Sequence, residues 1–380
     1  MEIKKNNLVI GILGGGQLAK MSLLAAAQLG FECAILEKQS ASPAGKHTRF
    51  EFTGQVSDTQ VLDSFIHASD VVTLESEFID PAYLSYIESK GKKVFPSAAT
   101  LSLIQDKYIQ KTTFRDAGVP VAGFVQADGE PCYAQLSAIL GEKFLLKSRT
   151  MGYDGYGNAL VTDEESLMRG YQKLRSRNSS LMAEEYIPFV KELAVMVVRT
   201  GSETVFYPVA ETIQEHHICK EVRLPSGITP GQESEVRDMV TRALDAIAGE
   251  GIFGFELFLL ADGKILVNEV APRPHNSGHY TIDACVTSQF ENHIRAVAGL
   301  PLGSPELLKS HVIMVNLLGR RNGPGFPGNY QLPLHDKDVK LHVYGKEESR
   351  PGRKMGHITL TGSSDDIYQR ASAIEKETDI

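Results

Sequence analysis

Phe253-Gly-Phe-Glu-Leu-Phe-Leu-Leu260, Ala261-Asp-Gly-Lys264 and Ile265-Leu-Val-Asn-Glu-Val270 form the stretch whose reading decides the fold. Two apolar runs flank Asp262-Gly263, a dipeptide that favours a two-residue hairpin loop. With that loop, Ala261 faces Lys264. Counting outward, Glu256 faces Glu269 and Asn268 faces Leu257. Like charges directly opposite each other destabilise a sheet, and a carboxylate buried without a partner costs several kcal/mol. A divalent cation between Glu256 and Glu269 removes both objections. Oxygen ligands on one side, with phosphates completing the shell, is how magnesium is commonly held. The competing reading pairs one glutamate with an arginine.

Upstream of the hairpin, strands are expected at 193–199, 204–210 and 252–260, with a helix over Glu233–Ala248. Further back, the strand Phe144-Leu-Leu-Lys147 ends in a lysine, and Gly152-Tyr-Asp-Gly-Tyr-Gly157 follows. This is not a Walker loop, which needs Gly-Lys-[Ser/Thr]. A strand lysine beside a glycine-rich flap is instead one way to cover nucleotide phosphates with backbone amides. Downstream, Arg273, His275 and Asn276 sit in a Pro-rich loop and suit a small planar anion. Pro272, Pro274 and Gly278 oppose a helix that would make His275 and His279 zinc ligands, and ordinary loop hydrogen bonding is preferred for His279. The C-terminal tail carries Lys346, Arg350, Arg353 and Lys354, held by Pro351-Gly352. Such a run is a solvated face or an anion grip. His216-His217 read as surface.

The first hundred residues alternate strands (Leu8–Leu13, Cys33–Leu36, Val71–Leu74) with helices (Gln17–Leu29 first), which implies a parallel sheet covered on both faces. Helices at Ser97–Leu103 and Asp106–Ala117 place a boundary near residue 105. Gly14-Gly15-Gly16-Gln17-Leu18-Ala19 follows the first strand, and Glu37 closes the second. That matches the dinucleotide fingerprint of glycines, helix N-terminus and ribose-binding acid, so an NAD- or FAD-dependent oxidoreductase is one hypothesis. The other is that the glycines only allow tight strand–helix packing. Glu75 and Glu77, two apart, are expected on one face of the strand end, where doubly wound sheets bind ligands. For Glu75 a solvated acidic edge is the alternative.

The chain has 380 residues, enough for two or three domains. Lys and Arg number 39 against 47 Asp and Glu, a net charge of −8. This opposes broad binding to nucleic acid or membrane surfaces but not one basic pocket. Cys33, Cys132, Cys219 and Cys285 are far apart, without a C-x-x-C, so neither disulfides nor a zinc knuckle are expected. Leu8–Leu13 is too short for a signal core, and no run approaches the roughly 18 apolar residues of a membrane span. A cytoplasmic location is expected.

With these motifs in place the chain resembles the ATP-grasp superfamily, and within it the 5-(carboxyamino)imidazole ribonucleotide synthases of purine biosynthesis. The resemblance covers nearly the whole length. It rests on Gly14-Gly-Gly-Gln-Leu18, Thr73-Leu-Glu-Ser-Glu77, Gln105-Asp106, Gly152-Tyr-Asp-Gly155 and Glu184-Glu-Tyr-Ile-Pro188. Most specific are Asn268-Glu-Val-Ala-Pro-Arg-Pro-His-Asn-Ser-Gly-His279, Thr287-Ser-Gln-Phe290 and Arg350-Pro-Gly-Arg-Lys-Met-Gly-His357.

The resemblance implies an ATP-grasp fold of mixed α/β and α+β class. A Rossmann-like parallel-sheet domain would span 1–105 and the ATP-grasp domain 106–300, with a lid at about 115–187. A β-rich C-terminal domain, 301–380, would complete the substrate site. It implies ATP-dependent carboxylation of 5-aminoimidazole ribonucleotide with bicarbonate, with ATP and Mg2+ required, in a homodimer. Lys107 and Lys147 would contact ATP phosphates under the flap Gly152, Tyr153, Asp154, Gly155, Tyr156, Gly157 and Asn158. Glu184, Glu185, Tyr186 and Ile187 would form the adenine hinge, with Glu192 on the ribose and Gln214 near the nucleotide. Glu256, Asn268 and Glu269 would hold magnesium, and Arg273, His275 and Asn276 bicarbonate. Glu77, Tyr153, Asp154, Lys346 and Arg353 would bind the ribonucleotide. The family more often carries Arg at 107, Lys at 156 and His at 214.

Overall fold

In the computed structural model, residues 8–127, 129–152, 157–176, 180–325 and 331–378 are described. Strands β1 (Val9–Leu13), β2 (Glu32–Glu37), β3 (Phe50–Thr53), β4 (Val71–Leu74) and β5 (Lys93–Phe95) form one sheet, ordered β3-β2-β1-β4-β5. All its pairings are parallel. Ile10 and Ile12 of β1 pack with helix α1 (Gln17–Gln28), while Val9 and Leu13 pack with α2 (Thr59–Ala68) and α3 (Pro81–Ser89). A strand covered on both faces reads as a continuous apolar run, and β1 is buried throughout. The Rossmann-like expectation holds.

Helices α4 (Ala98–Ile104) and α5 (Lys107–Asp116) lead to a small antiparallel sheet, ordered β6-β9-β7-β8. Its strands are β6 (Phe124–Gln126), β7 (Phe144–Ser148), β8 (Asn158–Val161) and β9 (Leu181–Glu185), packed with α6 (Tyr133–Leu140) and α7 (Glu164–Arg175). The β7–β8 connection carries the glycine-rich flap.

The third sheet has nine strands. Those before residue 275 are β10 (Phe189–Arg199), β11 (Thr204–Phe206), β12 (Ala210–Glu215), β13 (Ile218–Leu224), β14 (Gly251–Leu260) and β15 (Ile265–Ala271). On β10, Leu193, Val195 and Val197 face helix α8 (Pro230–Ala246), whose start Thr229 and Gln232 cap reciprocally. Ala194, Met196 and Val198 face the opposite side, packed with the short α9 (Thr281–Ala284) and with α10 (Gln289–Ala298). Beyond Pro301 come β16 (His311–Leu318), the short β17 (Gly323–Pro324), α11 (Gln331–His335), β18 (Lys340–Val343), the short β19 (Glu348–Ser349), β20 (Lys354–Gly362) and α12 (Asp366–Glu377). Strands β16, β20 and β18 extend the same sheet, in the order β15-β14-β10-β12-β13-β16-β20-β18, with β11 beside β10. The tail is therefore continuous with the hairpin sheet through backbone hydrogen bonds.

Two expectations need correction. The strand expected over 204–210 is two strands, because Tyr207-Pro208-Val209 interrupts it and proline cannot donate to a ladder. The deciding hairpin also departs from the simple count. Gly263 lies at φ +88 and Leu260 N donates to Lys264 O, so the loop is Ala261–Gly263. Leu259 then faces Ile265 and Leu257 faces Val267, not Asn268. A register shift beyond Leu257 absorbs Asn268, and Glu256 faces Glu269 after all. The longer loop and the bulge cancel. The bulge leaves Asn268 and Glu269 consecutive on the open side, between core residues Val267 and Val270.

Candidate active site

The three sheets surround one cavity of about 760 Å³. Lys107 reaches it from the first turn of α5. Asp106 caps that helix, accepting from Tyr108 N at 2.8 Å, and Arg149 at the start of the flap pairs with Asp106 at 2.7 Å. Lys107 N donates to Arg149 O, so the flap root and the helix start are one unit. Lys147 enters from β7, opposite Asn158 across the β7–β8 hairpin. Its ammonium is 2.5 Å from Glu184, and Lys111 holds the same carboxylate at 2.9 Å. Burial alone would raise the Glu184 carboxyl, but the two ammonium groups bring it down to about 2. Strand alternation on β9 turns Glu184 inward and Glu185 outward, toward Gly123 N at 3.2 Å. Tyr186 lines the cavity and Ile187 is buried. Glu192, on β10, also lines it, and burial pushes its carboxyl up to about 7 against a hydrogen bond from Gln214.

The opposed carboxylates Glu256 and Glu269 line the cavity with Asn268. Lys107 makes a close ion pair with Glu269. Burial raises the Glu256 carboxyl and the negative charge of Glu269 raises it further, whereas Lys107 holds Glu269 down. One ammonium thus relieves only half of the like-charge pair. Glu256 answers by favouring its proton and takes a weak 3.4 Å contact from Asn268 Nδ2. Two carboxylates and an amide oxygen are an all-oxygen donor set, as hard divalent cations require. The residues present fit magnesium.

Beyond that pair, Arg273 forms a two-pronged ion pair with Glu77, with Nη2 to Oε1 at 2.9 Å. Burial would raise Glu77, yet the guanidinium holds it below the usual carboxylate range. His275 Nδ1 meets Ser277 Oγ at 2.7 Å, and its Nε2 lies 3.5 Å from Glu256. Burial, then the charges of Arg273 and Lys354, lower its ring to about 4, so it is neutral near pH 7. Lys346, Arg350, Arg353 and Lys354 also line the cavity. Lys346 Nζ donates to Lys354 O and Arg353 Nη1 to Glu348 O, both at 2.7 Å, which braces the basic loop.

The glycine motif near the N-terminus is closed by the chain itself. Glu75 accepts from Gly16 N at 2.7 Å and Ala19 N at 3.0 Å, and Glu37 accepts from Gly15 N at 2.8 Å. The amides that would bind a pyrophosphate are already satisfied by carboxylates. Glu75 is thus no solvated edge: β4 ends at Leu74, so no strand face orders the pair, yet Glu75 and Glu77 both line the large cavity, with different partners. Gln17 and Leu18, from the same motif, line that cavity too.

Residues 8–105 match the ribonucleotide synthetase preATP-grasp domain and residues 112–290 the ATP-grasp domain. Residues 312–371 match the phosphoribosylaminoimidazole carboxylase C-terminal domain. The Bacillus subtilis N5-carboxyaminoimidazole ribonucleotide synthase is 37% identical, over 95% of this chain and 93% of that protein. The chain belongs to the N5-carboxyaminoimidazole ribonucleotide synthase family. The Ogataea methanolica phosphoribosylaminoimidazole carboxylase is 40% identical, over 97% of this chain and 69% of that protein. The chain spans only 64% to 69% of the first such fungal and plant carboxylases, so what their remaining length does is not carried to it. A crystal structure of the Aspergillus clavatus N5-carboxyaminoimidazole synthase with ADP and 5-aminoimidazole ribonucleotide gives a TM-score of 0.87 at 32% identity, covering 98% of this chain and 99% of that one.

Of the residues this family implied, Tyr153, Asp154, Gly155 and Tyr156 lie outside the described residues. Gly152 and Asn158 line the cavity, and Gly157 O accepts from Ser148 N at 2.7 Å. Sequence reasoning missed Lys111, whose signal was its i,i+4 spacing from Lys107 on α5. It also left Lys354 unassigned, and it took His217 as surface: the residue is exposed but lines the cavity rim. All four cysteines are free, and no described helix is long and apolar enough to cross a membrane. Asp283, His342 and His357 bring three ligand atoms within 4.8 Å. His342 and His357 stack at 4.5 Å and 13°, however, so their in-plane lone pairs run side by side instead of converging. With His342 Nε2 hydrogen-bonded to Asp283 at 2.7 Å, this is a histidine stack held by a carboxylate.

Proposed function

We propose that the chain carboxylates 5-aminoimidazole ribonucleotide with bicarbonate at the expense of ATP, forming 5-(carboxyamino)imidazole ribonucleotide, ADP and phosphate. The observation that carries this is the set of groups gathered on one cavity. Lys107, Lys147 and the Glu256–Glu269 pair, the loop residues Arg273, His275 and Asn276, and the basic residues Lys346, Arg350, Arg353 and Lys354 all line it.

In the first step a bicarbonate oxygen attacks the γ-phosphorus, the bond to the β-phosphate oxygen breaks, and carboxyphosphate and ADP result. In the second, the exocyclic amine of the ribonucleotide bonds to the carboxyl carbon, directly or through released carbon dioxide. Phosphate leaves and the amine gives up a proton. Lys147 and Lys107 would offset charge on the transferring phosphoryl group. Magnesium held by Glu256, Asn268 and Glu269 would withdraw charge from the β- and γ-phosphate oxygens. Arg273, fixed by Glu77, and Asn276 offer donors to bicarbonate. Carboxyphosphate hydrolyses readily, so the 150–158 flap has to exclude water. Glu192 would bind the ribose of ATP and Glu184 to Ile187 the adenine, while Lys346 and Arg353 take the phosphate of the ribonucleotide. The working form is a cytoplasmic homodimer by family resemblance, and a light-scattering mass of 41.6 kDa would remove the dimer.

The deciding assay is ADP release with bicarbonate and aminoimidazole ribonucleotide together, against controls lacking each. Release should need both. Turnover indifferent to the ribonucleotide would overturn the assignment.

A further inference from the structure

Asn316 lies within β16, fully buried. A buried amide costs free energy unless its hydrogen bonds are made, and an apolar residue would serve the strand better. Its bonds go to the active site. Asn276 Nδ2 donates to Asn316 Oδ1 at 2.9 Å, and Asn316 Nδ2 donates to Asn276 Oδ1 at 2.7 Å. Such a closed amide pair survives if both members turn over together, because oxygen and nitrogen simply exchange places. A third bond removes that freedom. Asn316 Nδ2 also donates to the Cys219 carbonyl at 2.9 Å, and a carbonyl can only accept. Asn316 must therefore keep its nitrogen where it is, and Asn276 must meet it with oxygen. Asn276 is left with one amide hydrogen that has no protein partner among the described residues. Its side chain lines the cavity beside Arg273 and His275.

We propose that Asn316 is a positioning residue which, held by the Cys219 carbonyl, makes Asn276 present an N–H rather than a carbonyl oxygen to the bicarbonate. This rests on the bicarbonate reading given above. An anion needs donors, and a reversed Asn276 would set an oxygen lone pair against negative charge. The arrangement spans β13 through its backbone, β16 through its side chain and the loop after β15. The extended sheet thus sets the polarity of a site built on another segment.

The test uses Asn316→Leu and Asn316→Ala, the second guarding against failure of the larger side chain to fit. ADP release is measured in degassed buffer with bicarbonate titrated back, and the ATP and ribonucleotide constants are measured alongside. The KM for bicarbonate should rise about tenfold, the loss of one charge-assisted hydrogen bond, while the other two constants stay close to wild type. An unchanged bicarbonate KM in either folded variant, or an equal rise in all three constants, would reduce Asn316 to a structural residue. Asn276→Ala separates this inference from the reading beneath it. If Asn276→Ala raises the bicarbonate KM and the Asn316 variants do not, the link between the asparagines fails alone. If Asn276→Ala also leaves it unchanged, the bicarbonate reading falls and takes the inference with it.

Discussion

Glu184 and Glu269 are both partly neutralised by lysine, yet their substitution by glutamine should have opposite signatures. Glu184 is buried between Lys147 and Lys111. Its carboxyl is depressed to about 2, so its stabilising contribution is complete above the ordinary value of 4.5 and is lost as pH falls toward 2. Stability near pH 7 should thus be insensitive to this group's titration. Glu184→Gln, which leaves two buried ammonium groups under-compensated, should cost about 3–5 kcal/mol in urea denaturation. An unchanged midpoint would show that water reaches the pair. Glu269→Gln relieves a like-charge contact, and Lys107 can turn to Glu256, which already feels its charge. The fold should survive while ADP release falls about a hundredfold or more, as expected on losing charge at the phosphoryl site. Normal turnover in a folded Glu269→Gln protein would end the magnesium assignment.

At the level of elements, what the sequence could reveal depended on how local the determining interaction was. The parallel sheet was legible because β1 is apolar throughout and its glycine turn follows at once. Asp262-Gly263 marked the hairpin, but the Glu256–Glu269 pairing came out right because a three-residue loop and the bulge at Asn268 offset each other, and nothing local marks a residue that is squeezed out of a ladder. Strand β13 was missed for a related reason. Ile218–Leu224 mixes Lys220, Glu221 and Arg223 with apolar residues, and its burial comes from β16, nearly a hundred residues away. The glycine fingerprint misled because its competitor, Glu75, lies far along the chain. Since α1 already has a carboxylate on its N-terminal amides, the protein should gain thermal stability from Mg-ATP and none from NAD or FAD, ligands stabilising only the state they bind. A melting shift with NAD alone, or a flavin spectrum, would restore the oxidoreductase hypothesis.

Across the whole molecule, the cavity belongs to no single segment. Helix α1 packs on α10, Thr73 of β4 meets His293 at 2.9 Å, and Lys20 Nζ donates to Val343 O at 3.0 Å. These contacts hold the first sheet against the third and bring Glu77 to Arg273. Such convergence has no local sequence signal, and only family resemblance joined the tail at 346–354 to residues 77 and 273 before the structure did. Whether the basic loop serves a different ligand from the lysines and the carboxylate pair should be measurable. Arg353 stands on the basic wall, and a charge-assisted contact to phosphate contributes roughly 1.5–3 kcal/mol. Arg353→Ala should therefore raise the KM for aminoimidazole ribonucleotide by about tenfold to a hundredfold. The KM for ATP should barely move, because Lys107, Lys147 and the Glu256 hairpin are built from other elements. A rise in the ATP constant alone would assign the basic loop to the nucleotide. If neither constant moved, Arg353 would be doing no more than bracing its loop through Glu348 O, and the ribonucleotide phosphate would have to be sought elsewhere on that wall.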